Sequence, residues 1–361
     1  MSLEQVRSRL NARRQELLGM NVLVLAGGSS SEREISLKSG NAVAAALASR
    51  GYRTAFAVIS EQGIALDYFK ALSDGKPISD QTPTHVQADS SLATLGGHDV
   101  VFTMMHGSLG ENGTWQGLLR LVGLPFISAD VKGSAVAMDK VLTKRIARTL
   151  DIPTPLWWTG SSRNVAVLSE IRQRVPADIR KLVAKPVDQG SSVGVSIFDN
   201  DDAGWAEAAR ICAGIDNLMV EQFVSGRELT CGWIGLREDP VGLPVVEIRP
   251  REGFYDYRAK YTKGASEYLC PAPIVEAIAD TVRTAAGSIY RELELEPFAR
   301  IDFILDEDGQ HWFLEANTLP GFTELSLLPM AAAAVGIDYA ELLEILMLCA
   351  VERQEREGGG R

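Results

Sequence analysis

The chain reads as an α/β protein, with a parallel α/β sheet in its first third and a mixed α+β remainder. Three observations predict this. An apolar run at 21–26 (NVLVLA) passes through a glycine- and serine-rich loop into a helical pattern reaching about residue 49, which is a β-loop-α unit. Strand-like runs at 53–59 and 99–104 continue the alternation to about residue 128, as a parallel sheet requires. Beyond that point strands come in pairs around tight turns, and RIDFIL (300–305) with HWFLEAN (311–317) is the plainest pair.

In chain order, residues 1–19 alternate charge with leucine and predict an extra amphipathic helix, without the apolar core of a signal peptide. The loop Gly27-Gly28-Ser-Ser-Ser leads to Glu32, which opens a helix whose first turn favours acidic residues. The strand at 99–104 ends in Met105-His106-Gly107, and a helix runs from about Met138 to Leu150 into the prolines of 151–155, which read as a hinge. Residues 181–200 predict two strands around Asp188–Ser192, and 217–224 another strand, broken at Ser225-Gly226. An aromatic loop at 250–270, the hairpin at 300–317 and a closing helix near 338–352 complete the chain. The expected division is 1–128, 129–224 and 225–361, since 361 residues exceed one ordinary core.

Hydrophobic content of 46% and charge of 23% are those of a globular protein. A net charge of −11 argues against a nucleic-acid partner. Four scattered cysteines, without a CxxC pair, fit a reducing compartment and give no zinc site. No run approaches the roughly 20 apolar residues of a membrane span. A cytoplasmic, soluble protein without a membrane partner is the expectation.

The hairpin carries the chemistry. With Leu305 facing Gln310 across the Asp306–Gly309 turn, Asp302 falls opposite Phe313, and Glu315 is its diagonal neighbour about 7–8 Å away. Asn317 adds a neutral oxygen on the same face. An all-oxygen set of Asp302, Glu315 and Asn317 suits Mg²⁺, which shares its coordination with water and substrate phosphates. Ahead of the hairpin, Lys185 precedes the small-residue loop Gly190-Ser191-Ser192, whose backbone N–H groups can close on phosphate. Lys140 opens a helix and offers a second cation. Glu221-Gln222-Phe223-Val224 reads as a strand end presenting backbone groups to a purine, with Glu228 placed for ribose hydroxyls. Each feature alone is an ordinary hairpin, surface lysine or bend; the ordered conjunction is specific.

These residues together resemble the ATP-grasp fold, here with an N-terminal parallel-sheet, Rossmann-like domain. GGSSSEREISLKSG (27–40), HGSLGENGTWQG (106–117), FYDYRAKY (254–261) and LEANTLPGFTELSLLP (314–329) are similar to motifs of the D-alanine–D-alanine ligase family. The resemblance spans about residues 20–350, with Asn112 standing where the family often has aspartate. It implies ATP-dependent ligation of two D-alanines through an acyl phosphate, for peptidoglycan precursors. It also implies a homodimer using two Mg²⁺ (or Mn²⁺), bridged by Glu315. In that reading Lys140 and Lys185 hold the α- and β-phosphates and Lys260 the γ-phosphate, with Ser192 in the phosphate loop. Arg300 and the N–H of Gly321 steady the oxyanion. Glu32 holds the first alanine's ammonium in a hydrogen-bonded set with Ser191 and Tyr261, and His106 lies near it. Ser326 and Leu327 contact the second alanine. Residues 250–270 form a lid, because acyl phosphates hydrolyse if water enters.

A D-lactate- or D-serine-joining relative is the alternative within the family, and Lys260-Tyr261 in the lid favours an amine acceptor. A dinucleotide-binding oxidoreductase built on Gly27-Gly28 is remote, for there is no GxGxxG fingerprint and the hairpin would go unexplained.

Overall fold

The computed structural model describes residues 2–60, 66–69, 84–86, 95–161, 163–190, 194–251 and 264–358. It contains three sheets among the described residues. The first comprises β1 (Asn21–Gly27), β2 (Arg53–Ile59), β3 (Leu66–Phe69), β4 (Thr84–Val86), β5 (Val100–Thr103) and β6 (Phe126–Ile127), in the order β4-β3-β2-β1-β5-β6. β1 pairs parallel with both β2 and β5, and β5 with β6. Val22 to Ala26 of β1 are all buried, because both faces of the sheet are covered. Val22, Val24 and Phe102 pack toward α2 (Arg33–Ser49), whereas Leu23, Leu25 and Val101 face Trp115 and Leu119 of α4 (Thr114–Val122), which follows the one-turn α3 (Ser108–Glu111). The sheet departs from the all-parallel expectation at its edge, where β3 and β4 add an antiparallel hairpin.

The helices α5 (Val131–Met138) and α6 (Lys140–Thr149) lead to the second, antiparallel sheet. It holds β7 (Trp157–Trp158), β8 (Lys181–Pro186), β9 (Ser196–Asp199) and β10 (Leu218–Gln222), ordered β7-β10-β8-β9. Helices α7 (Ala166–Arg172) and α8 (Asp202–Ile211) cover one face through Leu168, Ile171 and Trp205. The third sheet, also antiparallel, orders β13-β12-β11-β14-β15 from β11 (Arg227–Ile234), β12 (Val241–Pro250), β13 (Ser266–Leu269), β14 (Phe298–Leu305) and β15 (His311–Asn317). Helix α9 (Glu276–Glu292) packs Val282, Ile289 and Tyr290 on one side; α10 (Leu327–Ala334) and α11 (Tyr339–Arg356) cover the other. The expected aromatic loop at 250–270 is therefore strand at Pro250 and at 266–269, and its residues 252–263 lie outside the described set.

The amphipathic N-terminal segment is α1 (Leu3–Leu18), started by a reciprocal cap between Ser2 and Gln5. Val6, Leu10 and Leu17 are buried, and Arg7, Arg9, Arg13 and Arg14 pair with Glu341, Glu352, Glu355 and Glu344 of α11.

Candidate active site

The hairpin of β14 and β15 sets out the acidic face. Gln310 donates its backbone N–H to Asp306 Oδ1 at 2.8 Å, so the turn keeps Gln310 and pairing begins at Leu305 with His311. A bulge at Leu314 then adds one more residue, and Asp302 pairs with Glu315. This corrects the register expected from the sequence, in which Asp302 faced Phe313. The two shifts bring the carboxylates from diagonal to directly opposite, where Cβ atoms are about 4.5–5.5 Å apart.

Asp302 is buried and heavily solvated by protein groups. Thr230 Oγ1 donates to it at 2.5 Å, Asn317 Nδ2 at 2.8 Å, and Arg300 in a fork at 3.0 and 2.9 Å. Lys140 Nζ lies 3.5 Å from Glu315 Oε2. Two acids and an amide on one face, with cations already drawn to them, form an oxygen donor set that fits a hard divalent cation.

A cleft of about 760 Å³ opens between the second and third sheets, lined by Lys140, Lys185, Glu221 to Val224, Glu228, Asp302 and Glu315. The strand end at 221–224 is less open than expected. Gln222 N donates to Leu156 O at 2.8 Å and Phe223 N to Lys181 O at 3.0 Å, so strand pairing takes up two of its amides. Glu221 turns its side chain inward, where Lys185 and Lys144 both pair with it. Burial pushes its carboxyl upward, but the two lysines prevail and hold it below the usual range. The Lys181 ammonium stands 4.8 Å over the Phe223 ring.

A second cavity of about 530 Å³ contains Glu32, His106, Arg300, Asn317, Gly321, Ser326 and Leu327, and shares Lys140, Gln189, Gly190 and Glu315 with the cleft. Glu32 occupies the cap position of α2 rather than its first turn, and makes no side-chain cap bond. Its Oε2 would lie 3.4 Å from a Cβ at Gly190 and 3.5 Å from one at Gly107, so both loops close on the carboxylate. Gly107 also has φ +90, a conformation that a side chain would strain, and its Cβ would meet Ser30. His106 is buried, with Nδ1 2.8 Å from Leu319 O and Nε2 3.1 Å from Ser39 Oγ. The carbonyl requires the proton on Nδ1, leaving Nε2 to accept from Ser39, and burial lowers the ring's pKa, keeping this neutral tautomer. Ser326 Oγ accepts from Thr323 N at 3.0 Å at the start of α10, which fixes the turn beside Gly321.

Ser191, Ser192, Lys260 and Tyr261 lie outside the described residues. Two site residues were missed by the sequence reading. Lys144 has the look of a surface lysine in KVLTKRIART, yet its side chain is fully buried. Glu111 sits inside the HGSLGENG motif and lines the second cavity; its Oε2 accepts from Gly107 N at 2.6 Å. Burial, then the nearby Glu32 charge, push its carboxyl up to about 8.

The family models described as D-ala D-ala ligase N-terminus and C-terminus match residues 21–129 and 146–348. A D-alanine–D-alanine ligase of Aquifex aeolicus is 40% identical over 328 residues, covering 91% of this chain and 100% of that protein. One from Desulfotalea psychrophila is 36% identical, covering 94% and 98%. Among solved structures, the D-alanine–D-alanine ligase of Bacillus anthracis complexed with ATP superposes with TM-score 0.72 at 26% identity, over 94% of this chain and 100% of that one. The VanG D-Ala:D-Ser ligase of Enterococcus faecalis superposes with TM-score 0.77 at 27% identity, over 91% and 99%.

Proposed function

The chain belongs to the D-alanine–D-alanine ligase family, and from that premise we propose how its residues join two D-alanine molecules with ATP. It has the ATP-grasp fold of that family, and the dipeptide it makes serves peptidoglycan synthesis. The observation that carries the assignment of roles is the meeting of two cavities at Lys140, Gly190 and Glu315. A nucleotide in the larger one would point its terminal phosphate at an amino acid in the smaller.

The adenine lies against the 221–224 strand end, where the N–H groups of Gln222 and Phe223 are taken by strand pairing and the contact falls to Val224, and Glu228 holds the ribose. Lys140 and Lys185 meet the α- and β-phosphates, with Ser192 beside them and Lys260 on the γ-phosphate. Asp302, Glu315 and Asn317 would hold Mg²⁺ (two ions, or Mn²⁺), which when bound neutralises phosphate charge and so eases the approach of a carboxylate. Asn317 then turns its amide to offer oxygen, and Arg300 leaves Asp302 for the reacting carboxyl.

Glu32, set with Ser191 and Tyr261, holds the ammonium of the first D-alanine near His106. The carboxylate oxygen of this first D-alanine attacks the γ-phosphorus, forming the acyl phosphate, and ADP departs. The free amine of the second D-alanine, placed by Ser326 and Leu327, attacks the acyl carbon, and phosphate leaves, taking up the proton that the nitrogen gives up. Arg300 and the Gly321 N–H face the oxyanion that develops in this step. Positioning supplies most of the acceleration, because both steps bring anionic or polar groups together.

By the same resemblance we propose a cytoplasmic homodimer, whose dimeric state sedimentation at micromolar concentration checks. Among the described residues no helix is long and apolar enough to cross a membrane. The reaction is tested by phosphate release with ATP and Mg²⁺, comparing D-alanine, L-alanine, D-serine and D-lactate. D-alanine alone should support rapid release; release with L-alanine alone would overturn the reading.

A further inference from the structure

Behind the nucleotide cleft runs a buried polar ladder that no step above uses. Lys144 Nζ lies 2.9 Å from Glu221 Oε2, as an ion pair off the hydrogen-bonding direction, and donates to Thr154 Oγ1 at 2.6 Å. Thr154 in turn donates to Phe313 O at 2.8 Å, and Phe313 N donates to Pro153 O at 2.8 Å. The other Glu221 oxygen binds Lys185, the lysine that lines the cleft. The Lys144 side chain is fully buried and does not line the cleft.

We propose that Lys144 is a positioning residue for the nucleotide site: it shares the Glu221 carboxylate with Lys185 and thereby leaves the Lys185 ammonium's charge available to phosphate. The argument is one of charge balance. Two lysines on one carboxylate leave a net charge of about one unit, and the member that faces the cleft is Lys185. Were Lys185 the sole partner of Glu221, the pair would be neutral and the ammonium drawn away from an incoming anion. Burying a lysine completely is costly, and burial lowers the Lys144 pKa to about 8 against the pull of Glu221. The ladder also ties the Glu221 strand to β15, the strand carrying Glu315, so the phosphate and cation halves of the cleft share one frame.

The proposal rests on Lys185 contacting nucleotide phosphate. Its test measures KM for ATP and for D-alanine, and ADP affinity by calorimetry with Mg²⁺, in wild type, K144M, T154V, E221Q and K144M/E221Q. K144M should raise KM for ATP at least tenfold and leave KM for D-alanine within twofold, while T154V raises KM for ATP a few-fold. In the E221Q background the further change K144M should have no effect, because the lysine has lost the group through which it acts. That pair decides the matter even if K144M alone fails to fold. An unchanged ATP KM in folded K144M, or a full K144M effect persisting without Glu221, overturns the proposal. Failure of wild type to turn over ATP with D-alanine would instead refute the ligase roles, and ADP affinity would still judge the ladder.

Discussion

The Glu111 carboxyl, raised to about 8 by burial and then by the charge of Glu32, gives the site a pH signature. An unfolded glutamate titrates near 4.5, so between that value and 8 the folded protein keeps a proton that the unfolded chain has released. Its contribution to stability is complete below about pH 4.5 and is lost as pH rises through 8. Glu111→Gln removes this dependence, and its melting temperature minus that of wild type should grow between pH 5 and pH 8.5, measured without substrate. Parallel curves would show that Glu111 ionises normally. Arg300 makes a second residue-scale prediction. Its fork on Asp302 holds the guanidinium ready for the oxyanion of the proposed mechanism. Arg300→Met should lower kcat about 10²–10³-fold while Thr230 and Asn317 keep Asp302 hydrogen-bonded, as steady-state kinetics and a thermal melt would show together. The residue types of this site were legible because Arg, Asp, Glu and Asn stand in alternation on strands. Lys144 and Glu111 were not, since a helix face that turns inward under another lobe has no local sequence mark that separates it from a solvated one.

At the scale of elements, alternation and turn residues identified the hairpin, but its register was hidden. The turn retained Gln310, and the bulge at Leu314 is marked by no residue with a bulge preference. The antiparallel edge of the first sheet was equally unannounced, and α5 was passed over because its alanine- and glycine-rich pattern has weak polarity contrast, whereas α9 went unread although its apolar residues fall on one face. Helix α1 was legible from its charge and leucine alternation, and the structure adds what it covers. Leu10 is wholly buried against α11 in a row of arginine–glutamate pairs. Leu10→Ala should cost about 2–5 kcal/mol in urea denaturation. Because α1 lies away from both cavities, kcat and both KM values of that variant should stay within twofold of wild type. A large kinetic change would mean that α1 supports the site itself.

For the whole molecule, the sharing of a wall between two cavities arises only when the three sheets assemble, which no local stretch of sequence marks. That wall makes a prediction about how substrate affinities separate. Glu228 lines only the nucleotide cleft and Glu32 only the smaller cavity, while Lys140 lines both. Glu228→Gln should raise KM for ATP several-fold and leave KM for D-alanine within twofold. Glu32→Gln should do the reverse, raising KM for the first D-alanine at least tenfold because a buried ammonium loses its counter-charge. Lys140→Met should move both, since its ammonium bonds Gln189 O at 2.6 Å and faces Glu315 at 3.5 Å, joining the phosphate loop to the hairpin. Initial-rate kinetics with each substrate varied at saturating levels of the other separates these outcomes. If Glu32→Gln and Glu228→Gln disturbed both constants alike, the two cavities would be one site, and the compartment boundary at Lys140 and Glu315 would have no part in ordering the reaction.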